Sequence, residues 1–151
     1  MAYAQQRTTL LTREDIRCPR LVFVEDICNE ISNWQEEGDS IVLAFDVNEP
    51  IVDSSISEAL EHIRLKEAII NKYKGTPPAT HNRGSHTIDG IFVSCGLEIE
   101  SGGYLGFGEG IPSDHCAAWV DIAYSNGLGH PLPPISRPKA CRLQCNDPRT
   151  I

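Results

Sequence analysis

Three short polar groups in this 151-residue chain have the side chains that handle phosphate or a divalent cation: Asp46 with Asn48, Asp89, and Asp114 with His115. Carboxylates supply the hard oxygens that magnesium takes. An imidazole beside a buried carboxylate is fixed in tautomer and raised in basicity, which suits a donor to a phosphate oxygen. Each group stands at the end of an apolar run, where a rigid strand delivers side chains to a cleft. Asp46 and Asn48, two apart, are expected to project from one face. An isolated D-x-N is equally the pattern of a turn leaving a strand. Asp89, just before an apolar run, is costly there without a partner.

The elements that must hold these groups are set by periodicity. Residues 1–17 are polar and without a period, and read as a lead-in segment. From Pro19, the apolar residues Leu21, Val24, Ile27 with Cys28, Ile31 and Trp34 recur at helical steps, and Gly38 is placed to stop the helix. Ile41–Phe45 reads as a buried strand ending at Asp46. Ser55-Ile-Ser-Glu58 fits a capping box, and Ile56, Leu60 and Ile63 form a stripe that Ile69, Ile70 and Tyr73 could extend. The result is one long helix to Lys74 or two short ones broken near Arg64. Residues 79–87 are turn-rich. A second strand is expected over Ile88–Ser94 and a shorter one over Leu97–Ser101. Gly102–Pro112 reads as a glycine-rich loop without the context of a phosphate loop. A last strand runs to Ile122, with Ala118, Val120 and Ile122 facing one way. That makes about four strands, with Leu43, Ile91 and Val120 expected on one inner sheet face.

A hydrophobic content of 40% and a charged content of 23% describe one globular domain, and no apolar run is long enough for a membrane span. An intracellular setting with no membrane partner is expected. The six cysteines show no C-x-x-C, so reduced, mostly buried thiols are expected; the pair Cys141 and Cys145 is too few for a closed zinc site. The net charge of −8 is uneven: residues 125–151 carry +3, and residues 1–124 carry −11. The acidic body repels a polyanion unless metal ions or a basic element intervene. Residues 125–151, rich in proline, read as a basic linker or disordered tail after a domain over 1–124.

The order of these blocks resembles the endonuclease/exonuclease/phosphatase superfamily, the deoxyribonuclease I-like fold, in the form carried by retroelements ahead of a reverse transcriptase. The resemblance lies in the helix from Pro19 followed by IVLAFDVNEPI (41–51), in GSHTIDGIFVS (84–94), in GIPSDHCAAWVDI (110–122) and in the tail PPISRPKACRLQ. It implies an α+β fold, namely the C-terminal half of an αββα sandwich with a mixed, mostly antiparallel sheet and helices on one face. It also implies a phosphodiesterase or DNA endonuclease using Mg²⁺ or Mn²⁺ on Asp46 and Asp114. By the same resemblance, Asn48 holds the scissile phosphate, Asp89 orients His115 from within hydrogen-bonding reach, directly or through one water, and His115 meets a phosphate oxygen. The early metal-binding glutamate and the asparagine and tyrosine motifs of that family have no counterpart here, and Gly90 stands where many members carry an aromatic residue. The expectation is a truncated module, inactive alone, whose partners are DNA and a missing N-terminal half or reverse transcriptase region.

Two other classes compete. A non-catalytic remnant or protein-interaction module would bind a partner through an exposed sheet and ignore EDTA. A thiol hydrolase would use Cys95 or Cys116 with His115, although neither cysteine has a cationic neighbour in sequence to lower its pKa.

Overall fold

In the computed structural model, which describes residues 2–73, 76–110, 112–127 and 129, the chain runs α1 (Ala2–Thr12), α2 (Pro19–Glu36), β1 (Val42–Asp46), α3 (Ser55–His62), β2 (Leu65–Glu67), β3 (Asp89–Ser94), β4 (Ile99–Tyr104), β5 (Ala118–Ile122) and α4 (Tyr124–Gly127). The fold is α+β. Two small antiparallel sheets replace the single mixed sheet expected from the sequence: β1, β3 and β2 form one, with β3 in the middle, and β4 pairs with β5 in the other.

The strand alternation in β3 explains the layering. Phe92 points to the side covered by α2 and α3, where it packs among Ile31, Ile56, Leu60, Leu65 and the half-buried Leu43 and Phe45. Ile91 and Val93 point to the other side and pack with Ile69, Leu97, Tyr104, Val120 and Ile122. The helices therefore cover one face of the three-stranded sheet, and the β4–β5 hairpin covers the other. Leu43 does not share a face with Ile91 and Val120 as expected; it sits one residue out of phase, directly opposite Phe92, and so faces the helices. Gly90 faces the helices too, and there the aromatic of the resemblance has no room: a Cβ on Gly90 would lie 2.6 Å from Ile51 Cδ1.

Several local expectations are corrected. Residues 2–12 are helical, although almost every described side chain of α1 is exposed, so no apolar period marks it. At the start of α3 the capping residue is Ser54, whose hydroxyl accepts the Ser57 N–H at 3.1 Å, one position earlier than the capping box suggests. The helix does stop near Arg64, which adopts φ 66°, yet the chain continues as strand β2 and a 3₁₀ turn at Ile70–Lys72 rather than as a second α-helix. Gly102 and Gly103 are strand residues of β4, not loop. Trp119 of β5 lies against both, its carbonyl oxygen 3.1 Å from a Cβ built on Gly102 and its ring 3.4 Å from one on Gly103. Leu21 and Trp34, at the two ends of the α2 stripe, remain exposed because the core they were matched to reaches only Val24, Ile27, Cys28 and Ile31. The four described cysteines are free as expected, but Cys18 and Cys95 are exposed and Cys28 and Cys116 only half-buried. Residues 125–127 belong to α4. The rest of the expected linker, apart from Gly129, lies outside the described residues, as do Cys141 and Cys145.

Candidate functional site

β1 and β3 end together, and their register puts Asp46 directly opposite Asp89. Both carboxylates leave the sheet on the side of the β4–β5 hairpin, because they share the parity of Ile91 and Val93. Between Gly110 and Ala118 the chain returns to this edge, and His115 makes an isolated antiparallel bridge with His81. His115 Nδ1 lies 2.9 Å and 3.1 Å from the two carboxylate oxygens of Asp89. The direct contact between these two residues, expected from the resemblance, is therefore present. An Nδ1–H donor leaves Nε2 as the outward-facing nitrogen. One ligand atom from each of Asp46, Asp89 and His115 lies within 4.8 Å of the others.

The electrostatics are set by this packing. Hydrogen bonding to Asp89 holds the His115 imidazole above the usual histidine range; the charges of Asp89, Asp46 and Asp114 add to the shift and desolvation opposes it. Tyr104 donates its hydroxyl to the Asp89 carbonyl at 2.8 Å and closes the site on the hairpin side. Burial first, then the charge of Glu67, pushes the Tyr104 phenol far up, so it remains a neutral donor.

A network of short bonds fixes the backbone. Thr80, fully buried, accepts the N–H groups of Ile88 and Asp89 on its hydroxyl at 2.9 Å and 3.1 Å. Its carbonyl takes the Cys116 N–H at 2.8 Å, and the Asn82 N–H meets the Asp114 carbonyl at 2.9 Å. On the other flank, Arg20 of α2 pairs with Glu49 at 2.8 Å and donates to the Val47 carbonyl at 3.2 Å, which pins the turn after Asp46.

Of the five residues marked by sequence, three converge: Asp46, Asp89 and His115. Asn48 takes a left-handed φ of 56° with its N–H on Asp46 Oδ1 at 2.8 Å, so the D-x-N does form a turn. The chain has left the strand there, and the two side chains no longer alternate as strand neighbours. Asn48 and Asp46 both border a cavity of about 270 Å³, with Tyr3, Arg20 and Phe23 on the helix side. Asp114 stays outside the cluster: its carboxylate, 67% exposed, lies 3.6 Å from His81 Nε2. Among the described residues, Asp46 and Asp89 converge as oxygen donors beside His115, and Asp114, the other metal residue expected from the resemblance, is not in that group. Two carboxylates and water are a donor set of the kind magnesium uses.

Sequence reading missed His81, Thr80 and Arg20. His81 and Thr80 lie in a turn-rich stretch with no periodicity of its own, and the only available sign was a second histidine upstream of the acid-headed strand. The thiol hydrolase loses its support here. Burial, and then the Asp89 charge, pushes the Cys116 thiol up, and Cys95 is exposed at the opposite end of β3 from His115. No protein-family model, curated protein or solved structure matches the chain.

Proposed function

We propose that the chain carries the phosphate-binding part of a metal-dependent phosphodiesterase, of the DNA endonuclease class and the deoxyribonuclease I-like family. One observation carries this reading: His115, held at 2.9 Å by Asp89, stands beside the further carboxylate of Asp46 at one sheet edge. Phosphodiester hydrolysis needs a cation to take up developing charge and a positioned donor for the phosphate. Asp46 and Asp89 are the residues that would hold Mg²⁺ or Mn²⁺, which when bound supplies that positive charge. Asp89 fixes the His115 ring, and the ring presents its free edge to a phosphate oxygen. The α2, α3, three-stranded sheet and hairpin layers supply one helix layer and two sheet layers, as the C-terminal part of an αββα sandwich would. The test is nicking of supercoiled plasmid in Mg²⁺ by the full-length natural protein that carries this chain. Nicking lost in His115→Ala with the fold retained supports the reading; turnover indifferent to both metal and His115 overturns it.

A second reading, a non-catalytic interaction module, is favoured by Leu105, Phe107 and Trp119, which expose large apolar side chains on and beside the β4–β5 hairpin. Partner capture that survives both EDTA and His115→Ala would select it.

A further inference from the structure

Beside His115 stands a second imidazole that the resemblance does not assign. The rings of His81 and His115 meet edge to face with centroids 4.9 Å apart. His81 Nδ1 accepts the Arg83 N–H at 3.2 Å, so in the neutral ring the proton belongs on Nε2. Nε2 lies 3.6 Å from Asp114 Oδ2, beyond hydrogen-bond length. The Nε2–H thus has the exposed Asp114 carboxylate as its near neighbour and no hydrogen-bonded acceptor among the described residues. Its backbone is held rigidly by the bridge to His115 and by the turn bond from Gly84 N to the His81 carbonyl at 2.9 Å.

We propose that His81 is a substrate-binding residue that donates its Nε2–H to a non-bridging oxygen of a phosphodiester, forming with His115 a two-imidazole cradle for one phosphate. The inference rests on the phosphodiesterase reading and deepens it. The cradle answers an electrostatic difficulty: Asp46 and Asp89 repel an anion, and one histidine offers a single donor against two carboxylates. A second fixed N–H on the same edge adds a donor without a further mobile charge. Asp114, being exposed, can turn into solvent as the anion arrives.

The experiment uses the full chain labelled with ¹⁵N, whose five histidines are assigned in long-range imidazole spectra. Dimethyl phosphate, a phosphodiester monoanion, is titrated at fixed pH against sodium chloride of equal ionic strength. The Nε2 signals of His81 and His115 should move together along one saturating curve. His81→Phe keeps the ring packing but has no N–H, and should weaken dimethyl phosphate binding roughly tenfold or more. His81→Gln, which restores a donor, should recover part of the loss. Saturation that moves His115 alone, with His81→Phe binding as tightly as wild type, overturns the cradle and leaves the phosphodiesterase reading standing. Saturation at neither ring overturns both, and the wild-type titration decides this without reliance on any variant folding.

Discussion

Asp46 and Asp89 face one another across the β1–β3 pair in direct register, and the imidazole of His115 sits against both. Like charges directly opposite on antiparallel strands destabilise the pairing. The histidine is therefore structural as well as chemical. Removing it by His115→Ala leaves Asp89, only 17% exposed, without its ring partner. A loss of about 1–3 kcal/mol is expected in urea unfolding. Asp89→Asn in the same chain should recover part of it, and a double-mutant cycle with no coupling between the two positions would contradict the arrangement.

Glu67 gives the fold a pH dependence of its own. Its Oε2 accepts the N–H groups of Ile69 and Ile70, while its Oε1 is buried without a hydrogen-bond partner among the described residues. Burial raises its pKa above the ordinary 4.5, against the backbone bonds that lower it. A carboxyl with a raised folded pKa contributes stability that is fully present below the unfolded value and is lost as pH rises through the folded one. Urea midpoints should therefore fall as pH rises above about 4.5, from this group, and Glu67→Gln should flatten that slope. An unchanged slope in the variant would assign the pH dependence elsewhere.

A methyl group on Gly90 should be accommodated only by displacing the end of the Ile51 side chain. The added Cβ would meet Ile51 Cδ1 at 2.6 Å and Phe92 Cε2 at 3.0 Å. Gly90→Ala is expected to cost about 1–3 kcal/mol through overpacking. Ile51→Val removes the nearer atom, so the double variant should be more stable than Gly90→Ala alone, as read by thermal unfolding.

Metal should bind weakly and through Asp46. Of the two converging carboxylates, Asp89 is already bonded to His115, so Asp46 is the less committed donor. Affinity for Mg²⁺ is expected at roughly millimolar or weaker, because few protein ligands meet this octahedral ion here. Asp46→Asn should abolish Mn²⁺ line broadening of the His115 signals, whereas Asp114→Ala should leave most of it. EDTA should leave the melting temperature unchanged. Broadening indifferent to Asp46 would move the ion elsewhere.

On the phosphodiesterase reading, the described residues bring two carboxylates and one imidazole together, and residues 1–151 should nick plasmid DNA at close to the background rate, since each electrostatic element of such a site is commonly worth roughly a hundredfold to a thousandfold. Robust Mg²⁺-dependent nicking by residues 1–151, abolished by His115→Ala, would show that these residues suffice.

The parts of this fold that were legible in the sequence are those that concentrate apolar residues in a run or a stripe. The strand before Asp46 and the strand after Ile88 show as continuous apolar runs and the helix from Pro19 as a stripe at helical steps, and each is found within a residue or two of its expected bounds. Helix α1 buries almost nothing and so left no pattern to read. β2 is three residues long and runs straight into Ile69 and Ile70, whose spacing imitates a helix. The glycines of β4 hide a strand because β5 packs close against them, the Trp119 backbone and Val120 at Gly102 and the Trp119 ring at Gly103. In the site, Asp89 was legible as a costly acid without a partner, while its pairing with His115, 26 residues away, came only with the resemblance. His81 gave no such sign, because it depends on a backbone bridge that only the folded chain makes.

The central place of β3 also sets an order of events. The β4–β5 hairpin and the β2–β3 pair close over shorter stretches of chain than the β1–β3 pair, whose partners Val42 and Val93 are the most distant in sequence. Loop closure costs more entropy as the loop lengthens, so β1 is expected to join the sheet last. Asp46 rides on that strand. The chain should then pass through a stage in which Asp89 and His115 already touch while the opposing carboxylate is still in solvent, and like-charge repulsion is met only after the rest of the structure can bear it. Substitutions at Asp46 should accordingly alter how fast the protein unfolds and leave its folding rate almost untouched.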